Sequence, residues 1–473
     1  MRFASVAELA ESLRRRRISS VELTEETLDL LEREGPRYNA VATVMRERAL
    51  REARAADRAR GRSAPRSPLA GIPYGAKDLL AARGAPTTWG APPYAEQTFD
   101  VDATAVDRLR RAGAVLAAKL AMVELAGGGG YRYPRASLQG PGRTPWNTDH
   151  WSGGSSSGSG AAVAGGLVSY ALGSETSGSI GTPASYCGVT GLRPTYGLVS
   201  RHGAMALSWT LDKIGPMART AEDCAIVLEA IAGPDVKDPT ASGRRFRRLD
   251  RRAAVSALRG LRVGIAGEEL EHATPEARAA LERAFKEFTR VTRAKVVRAV
   301  LPELPYGPLV ATVYAAEGAT IFAELIEGPR FEELRDARQK AGLRASLEIK
   351  ARDYLQAMRL RSRVSDAFRG LFSECDVILS FGRNTTATPV DQPLDRGPGG
   401  RPGTPPVAAG NGALIAAGNL AGVPAIFFPC GFGSNGLPVA LQVVGPPFSE
   451  PLLVAAVEAY QRATRHHART PKV

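Results

Sequence analysis

The chain has 473 residues, a formal net charge of +14 and a hydrophobic fraction of 44%. This length allows a large buried core, and the composition is that of a soluble globular protein. The four cysteines are widely scattered and form no C-x-x-C pair, which argues against a metal site and suits a reducing compartment. We therefore expect a cytoplasmic protein without a metal site. The polar stretch ISSVELTEETLD follows Arg14–Arg17, so the N-terminus predicts no signal peptide.

The positive charge does not by itself indicate nucleic-acid binding. Only nine of the 62 basic residues are lysine, and the arginines alternate with acidic residues in stretches such as RERALREARAADRARGR. That pattern is typical of solvated helix faces. The sequence has no basic motif with interspersed aromatic residues of the RNA-binding kind, and no apolar run long enough to cross a membrane. We expect neither nucleic acid nor a membrane as partner.

The first half of the chain predicts an α/β fold. Residues 1–68 are amphipathic and predict helices that pack on a core, whereas residues 69–239 alternate apolar strands with helices. This alternation predicts one large mixed β-sheet covered by helices on both faces. The predicted elements of this core are a strand over Gly71–Lys77, a helix over Thr104–Ala112, a strand over Ala114–Lys119 and a short small-residue helix over Gly160–Val168.

The second half of the chain changes character. Residues 240–410 are charged and predict mostly helices, with one strand over Leu261–Gly267 and an irregular polar loop over Gln392–Pro406. Residues 411–473 return to apolar strands and a helix, which we expect to complete the first sheet. No internal repeat or clean linker divides the chain, so a single compact domain is predicted.

Two glycine- and serine-rich runs carry the chemical signal, GGSSSGSG over Gly153–Gly160 and GSETSGSIGTP over Gly173–Pro183. A serine nucleophile needs a base, and the histidine nearest to these runs, His150, is better explained as a polar loop residue. The first run also matches G-x-S-x-G, but no apolar strand precedes it as the nucleophile elbow of α/β-hydrolases requires. A Ser-His-Asp triad is therefore not favoured.

A lysine offers the alternative base. Lys77, in GIPYGAKDLL, lies at the end of a predicted buried strand, and burial lowers the pKa of a lysine. An ordinary surface lysine is the other interpretation, although lysine is scarce in this chain. The small residues of the second run allow consecutive backbone N–H groups to converge on one point, as an oxyanion needs. Lys77, Ser155 and Ser179 together indicate a serine relay without histidine.

The segments GIPYGAKD, SGGSSSGSGAAVA, GSETSGSIGTPASYCGVTGLRPTYGLVS and NLAGVPAIFFPCGF closely resemble the amidase signature family. The resemblance implies amide hydrolysis through an acyl-enzyme, without a cofactor, and a homodimer. It assigns Ser179 as nucleophile, Ser155 as bridging serine on a cis peptide and Lys77 as base. By the same resemblance, the oxyanion hole is formed by the N–H groups of Thr176, Ser177, Gly178 and Ser179.

The chain also departs from the family pattern G-x-D-T-G-G-S-I-R. It has Glu175 and Gly181 where the family has aspartate and arginine, so the pair that braces the nucleophile loop is expected to be missing. The asparagine that usually follows Lys119 by two positions is replaced by alanine. The pocket loop then becomes Gly127–Gly130, with Gly127 and Gly128 as substrate-binding candidates, and we expect it to be wide or mobile.

The stretch PTYGLVSRHGAMALSWTLDKIGPMART resembles the glutaminase component of tRNA-dependent amidotransferases. That component has an acidic residue for the amino group of glutamine at the position of Gly412, and this chain would lose a charge-assisted contact there. A stand-alone amidase with a small-molecule amide substrate is therefore favoured. The glutaminase component of a tRNA-linked complex with partner subunits is the alternative. The sequence does not name the substrate.

Overall fold

The computed structural model describes residues 1–61, 67–266, 273–394 and 411–472. Most of the predicted polar loop Gln392–Pro406 lies outside these ranges. Within them, no helix is both long and apolar enough to cross a membrane.

A mixed sheet runs through the described chain and confirms the predicted α/β class. The strands are β1 (Val41–Val44), β2 (Pro73–Lys77), β3 (Val115–Leu120), β4 (Arg143–Thr144), β5 (Asn147–Trp151), β6 (Tyr170–Glu175), β7 (Thr190–Arg193), β8 (Lys213–Ala218), β9 (Arg262–Ile265), β10 (Lys295–Arg298), β11 (Val377–Phe381), β12 (Ala425–Phe432) and β13 (Pro438–Val444). Eleven of them form one sheet in the order β1-β3-β2-β6-β8-β7-β12-β13-β11-β9-β10, and β4 pairs with β5 separately. Strand β2 runs parallel to β3 and β6, and β9 runs parallel to β10 and β11.

Helices cover both faces of this sheet. They are α1 (Val6–Arg14), α2 (Ser20–Glu34), α3 (Arg46–Arg60), α4 (Thr104–Arg111), α5 (Ser157–Ala164), α6 (Gly181–Cys187), α7 (Ala221–Ile231), α8 (Arg251–Ala257), α9 (Pro275–Thr292), α10 (Tyr306–Ile321), α11 (Ala323–Glu327), α12 (Ala337–Ser346), α13 (Ala351–Glu374), α14 (Asn411–Ala421) and α15 (Glu450–Thr464). Helices α1 and α2 are each preceded by an N-cap serine that forms a full capping box, Ser5 for α1 and Ser19 for α2.

The alternation of side chains along the central strands builds two separate hydrophobic clusters. On β6, Tyr170 and Leu172 belong to one cluster, whereas Ala171 between them belongs to the other. On β11, Val377 and Leu379 point to the first cluster and Ile378 to the second. Both faces of the sheet are therefore buried, as the near-continuous apolar strands indicate.

The differences from the predicted elements have local causes. The N-terminal segment contains strand β1, which was not predicted. Its four residues at the sheet edge form too short a pattern to be distinguished from helix. The small-residue helix spans Ser157–Ala164 instead of Gly160–Val168, and Gly166 follows it with a φ of +65°. A Cβ on Gly166 would lie 2.7 Å from the ring of Phe3, so the chain turns there against the segment that precedes α1. Strand β10 was not predicted, since it is largely exposed at the other edge.

Candidate active site

Lys77 is the last residue of β2 and is fully buried. Its Nζ donates to the Oγ of Ser155 at 2.7 Å and to the Oγ of Ser174 at 2.9 Å. Burial lowers the pKa of Lys77 to about 7, although the negative charges of Asp212 and Glu175 act in the opposite direction. An amine with this pKa is partly neutral near pH 7, and a neutral amine can accept a proton.

Ser155 lies at the turn into α5, after a cis peptide bond that joins it to Gly154. Gly153, which precedes Gly154, has a φ of +82°, and a Cβ there would lie 2.8 Å from the backbone of Pro183. Only glycine combines this backbone conformation with so close an approach. The glycines of the first run therefore bring the turn against its neighbours, where the Oγ of Ser155 meets Lys77.

Ser179 lies in the connection between β6 and α6, and 9% of its surface is exposed. The N–H of Ser156 donates to the carbonyl of Ser179 at 3.2 Å, so the turn that carries Ser155 lies against the loop that carries Ser179. Gly178 turns this loop with a φ of +90°. The structure thus brings together all three residues of the predicted relay. The side chains of Lys77 and Ser155 are in direct contact, whereas Ser179 is joined to the Ser155 turn by a backbone hydrogen bond.

Residues 176–179 form the predicted oxyanion loop. Their backbone N–H groups donate to no hydrogen bond found within the described residues. By contrast, the next two N–H groups, of Ile180 and Gly181, both donate to Oε2 of Glu175 at 2.9 Å. Unpaired N–H groups beside a nucleophile are what binding of an oxyanion requires.

This loop was expected to lack a bracing ion pair, and that expectation is wrong, because a different arginine supplies the pair. Glu175 Oε1 lies 3.0 Å from Arg193 Nη1, and both side chains are fully buried. Asn419 Nδ2 also donates to Glu175 Oε1 at 2.9 Å. Burial would raise the pKa of Glu175, but the charge of Arg193 and the hydrogen bonds from Asn419 and Gly181 lower it to about 2. A glutamate paired with an arginine on β7 thus replaces the expected aspartate–arginine pair.

Asp212, which the sequence did not single out, ties the oxyanion loop to a second loop. Its Oδ1 accepts from the Oγ1 of Thr176 at 2.5 Å. Its Oδ2 accepts from the N–H groups of Leu207 and Ser208 at 2.8 and 2.9 Å. A cavity of about 210 Å³ adjoins this contact and is bounded by Ser174, Thr176 and Asp212 on one side. Asp212 therefore fixes one wall of the site.

The helices of the second half of the chain hold this wall in place. Glu317 of α10 is 1% exposed. It accepts from the Oγ of Ser208, from the N–H and Oγ1 of Thr210 at 3.1 and 2.7 Å, and from the hydroxyl of Tyr354 at 2.9 Å. The contacts run from α13 through Glu317 to the loop that carries Asp212. Glu317 is the single charged residue of α10, but the sequence does not show which distant loop it contacts.

The glycine loop Gly127–Gly130 was expected to be wide or mobile, but at Gly129 it packs closely against α12. A Cβ on Gly129 would lie 2.5 Å from the carbonyl oxygen of Gln339, and a Cβ on Gly342 would lie 1.9 Å from that of Gly129. The Nε2 of Gln339 donates to the carbonyl of Gly128 at 3.0 Å. The absence of side chains thus lets α12 approach the loop. Contact of Gly127 and Gly128 with substrate remains a prediction.

Histidine and metal-ligating residues do not converge here. The backbone of His150 forms an isolated β-bridge with Pro389. Over the described residues, no group of histidine, cysteine and carboxylate side chains could hold a metal ion. The four cysteines are all free and buried.

Comparison with known proteins gives consistent matches across the chain. Residues 22–454 match the family model described as Amidase. The chain is 39% identical to a glutamyl-tRNA(Gln) amidotransferase component from Methylococcus capsulatus, over 99% of this chain and 98% of that protein. Native peptide amidase from Stenotrophomonas maltophilia is 31% identical, with a TM-score of 0.81, and the match covers 98% of this chain and 97% of that one. A third match is a chain from a vestigial protein complex that reveals the evolutionary origins of an s-triazine catabolic enzyme. It is 32% identical, with a TM-score of 0.85, and the match covers 97% of this chain and 98% of that one.

Proposed function

Since the chain belongs to the amidase signature family and is a hydrolase of carbon–nitrogen amide bonds, we propose that it is a stand-alone carboxamide hydrolase that uses a Ser179–Ser155–Lys77 relay. The observation that carries the proposal is the hydrogen bond of 2.7 Å from buried Lys77 to Ser155. The turn that holds Ser155 is in turn hydrogen-bonded to the backbone of Ser179. These two contacts support the assignment of Ser179 as nucleophile, Ser155 as hydroxyl bridge and Lys77 as base.

The proposed reaction has two halves. Neutral Lys77 accepts a proton from Ser155, which accepts one from Ser179, and the Oγ of Ser179 attacks the amide carbonyl carbon. The N–H groups of residues 176–179 stabilise the oxyanion. The intermediate collapses when the carbon–nitrogen bond breaks and the leaving nitrogen receives a proton through Ser155. Water then attacks the acyl-enzyme by the same relay and releases the carboxylic acid.

Ser174 supports this relay by position. Its Oγ accepts the second hydrogen bond of Lys77 at 2.9 Å, so the amine is held between two hydroxyl groups. Its own N–H donates to the Oγ of Ser156 at 3.3 Å. The hydrogen bond to Ser174 therefore orients the amine of Lys77 toward Ser155.

The alternative is the glutaminase component of a tRNA-dependent amidotransferase. It is favoured by the 39% identity to a component of a glutamyl-tRNA(Gln) amidotransferase. Against it, the position expected to bind the amino group of glutamine is Gly412, in the first turn of α14. A glycine offers no carboxylate to a substrate ammonium group. A small-molecule amide and a homodimer without partner subunits remain our predictions.

The test uses the purified chain alone with a panel of aliphatic, aryl and peptide amides that includes glutamine and asparagine. We expect turnover of simple amides and covalent labelling of Ser179 by a fluorophosphonate. Ser179→Ala and Lys77→Ala should each lower kcat/KM by at least about 1,000-fold. Ser177→Ala is the matched control in the same loop and should lose much less, since only its N–H is used. Turnover of glutamine alone, and only after addition of partner subunits, would favour the alternative. An unlabelled Ser179 would refute the relay.

A further inference from the structure

Arg383 lies just after β11 and is a partly buried cation. Its Nε is buried and has no hydrogen-bond partner, and no carboxylate of the described chain forms an ion pair with it. Several other arginines form ion pairs, such as Arg110 and Arg111, which share Asp107. A buried N–H donor without a hydrogen-bond partner is costly in free energy. A partner that is not part of the described chain would remove that cost.

The backbone places Arg383 beside the helix that follows the nucleophile. The residue before it, Gly382, packs on α6 so closely that a Cβ there would lie 2.3 Å from the Oγ of Ser185. That hydroxyl donates to the carbonyl of Gly181 at 2.8 Å. Arg383 therefore leaves the sheet next to α6, the helix that begins two residues after Ser179.

The chain then runs on to aromatic rings that border the other serine. The carbonyl of Thr388 accepts from the N–H of Trp151 at 2.8 Å. The ring of Trp151 meets that of Tyr131 edge-on, with centroids 6.2 Å apart. A Cβ on Gly154 would lie 2.8 Å from the Trp151 ring and 3.2 Å from the Tyr131 hydroxyl. Residues 383–388 thus span from α6 to rings that touch the residue before Ser155.

Electrostatics also place Arg383 near Tyr131. Burial raises the pKa of the Tyr131 hydroxyl, and the charge of Arg383 is the strongest of the charges that act on it, ahead of Asp336. Asp336 forms no ion pair with Arg383, and its two carboxylate oxygens accept four backbone N–H groups. These donors belong to Arg132 and Tyr133 on Oδ2 and to Arg338 and Gln339 on Oδ1.

We infer that Arg383 is a specificity-determining residue that binds a carboxylate carried by the substrate, away from the amide that is cleaved. A guanidinium binds a carboxylate through two parallel hydrogen bonds, and the Tyr131 hydroxyl supplies a further donor. The rings of Tyr131 and Trp151 would cover the apolar part of the substrate between its two polar ends. This inference rests on the proposed function and narrows its substrate to carboxylated amides.

The experiment compares matched substrates that differ only in the carboxylate. Three pairs test a carboxylate on the acyl side of the amide: succinamate with butyramide, glutaramate with valeramide, and adipamate with hexanamide. A fourth pair, 4-carboxyacetanilide with acetanilide, tests a carboxylate on the amine side. The wild-type enzyme should prefer the carboxylated member of at least one pair. Arg383→Gln should lower kcat/KM for that member by about 10- to 100-fold, mainly through KM, and leave its neutral partner unchanged. Arg383→Lys should recover part of the loss.

Arg352→Gln is the control, since that arginine is 79% exposed on α13. An equal loss on both members of a pair, or no preference in the wild-type enzyme, would refute the inference and leave the proposed function intact. Absence of all turnover together with absence of Ser179 labelling would refute both. If Arg383→Gln does not fold, competition in the wild-type enzyme decides, because free glutarate should inhibit and 1,5-pentanediol should not.

Discussion

Glu175 and Arg193 form a fully buried ion pair, 3.0 Å from Oε1 to Nη1, immediately before the oxyanion loop. The other carboxylate oxygen of Glu175 accepts the N–H groups of Ile180 and Gly181, which follow Ser179. One carboxylate therefore holds both ends of the loop and attaches them to β7. The loop geometry depends on this pair, although neither residue touches the reacting atoms.

Removal of the cation alone should destabilise the fold. Arg193→Met leaves Glu175 buried without its partner, and the free energy of unfolding should fall by about 3–5 kcal/mol in denaturant titration. The double variant Arg193→Met/Glu175→Gln should recover most of that loss, because position 175 then carries no unpaired charge. Arg369→Met is the control, since its pair with Asp366 is exposed, and it should cost less than about 1 kcal/mol. An Arg193→Met cost no larger than the control would contradict this view.

The fold and the relay residues could be predicted because their signals are local. Strands β2 and β3 are short runs of small and apolar residues next to glycines, and each of the two serine runs is contiguous in sequence. The resemblance to a family then assigned Lys77, Ser155 and Ser179 to their roles. The structure brings these residues together, whereas their roles in the reaction await the experiments above.

The supporting contacts could not be predicted, because they join segments far apart in the chain. Arg193 reaches Glu175 from another strand, and Glu317 reaches the loop of Asp212 from a helix more than a hundred residues later. The glycine loop was misjudged for a different reason. Absent side chains permit either open space or a close helix contact, and only the position of Gly342 on α12 decides between them.

The pH dependence of the reaction should report the protonation of Lys77. Because its pKa is about 7, the lysine is charged below that pH and cannot accept a proton, and kcat/KM for an uncharged amide should rise with pH through an inflection near 7. Asp212 favours the charged form of Lys77, so Asp212→Asn should move the inflection to lower pH. Lys350→Gln, outside the site, should leave it unchanged. A profile that is flat from pH 5 to 9, or an inflection that moves upward in Asp212→Asn, would exclude Lys77 as the base.

The contact between α10 and the active-site loop should affect turnover more than binding. Glu317→Gln weakens the hydrogen bonds to Ser208 and Thr210, which hold the loop of Asp212. We expect kcat to fall by about 10- to 100-fold, since a small displacement of the oxyanion loop misaligns its N–H groups. Tyr354→Phe, which removes one donor to the same carboxylate, should lose less. Kinetics and thermal unfolding are measured together. A lower Tm with an unchanged kcat would assign Glu317 to stability alone.

The two neighbouring glycines of the pocket loop allow packing to be separated from backbone strain. Gly129 and Gly130 have φ values of +79° and +75°, so alanine is strained equally at both. A Cβ on Gly129 would meet the Gln339 carbonyl at 2.5 Å, whereas a Cβ on Gly130 has nothing within 4 Å. Gly129→Ala should therefore lower the free energy of unfolding by about 1–3 kcal/mol more than Gly130→Ala, measured by denaturant titration. Equal costs would mean that α12 yields to the new methyl group, and that the loop does not depend on this contact for its shape.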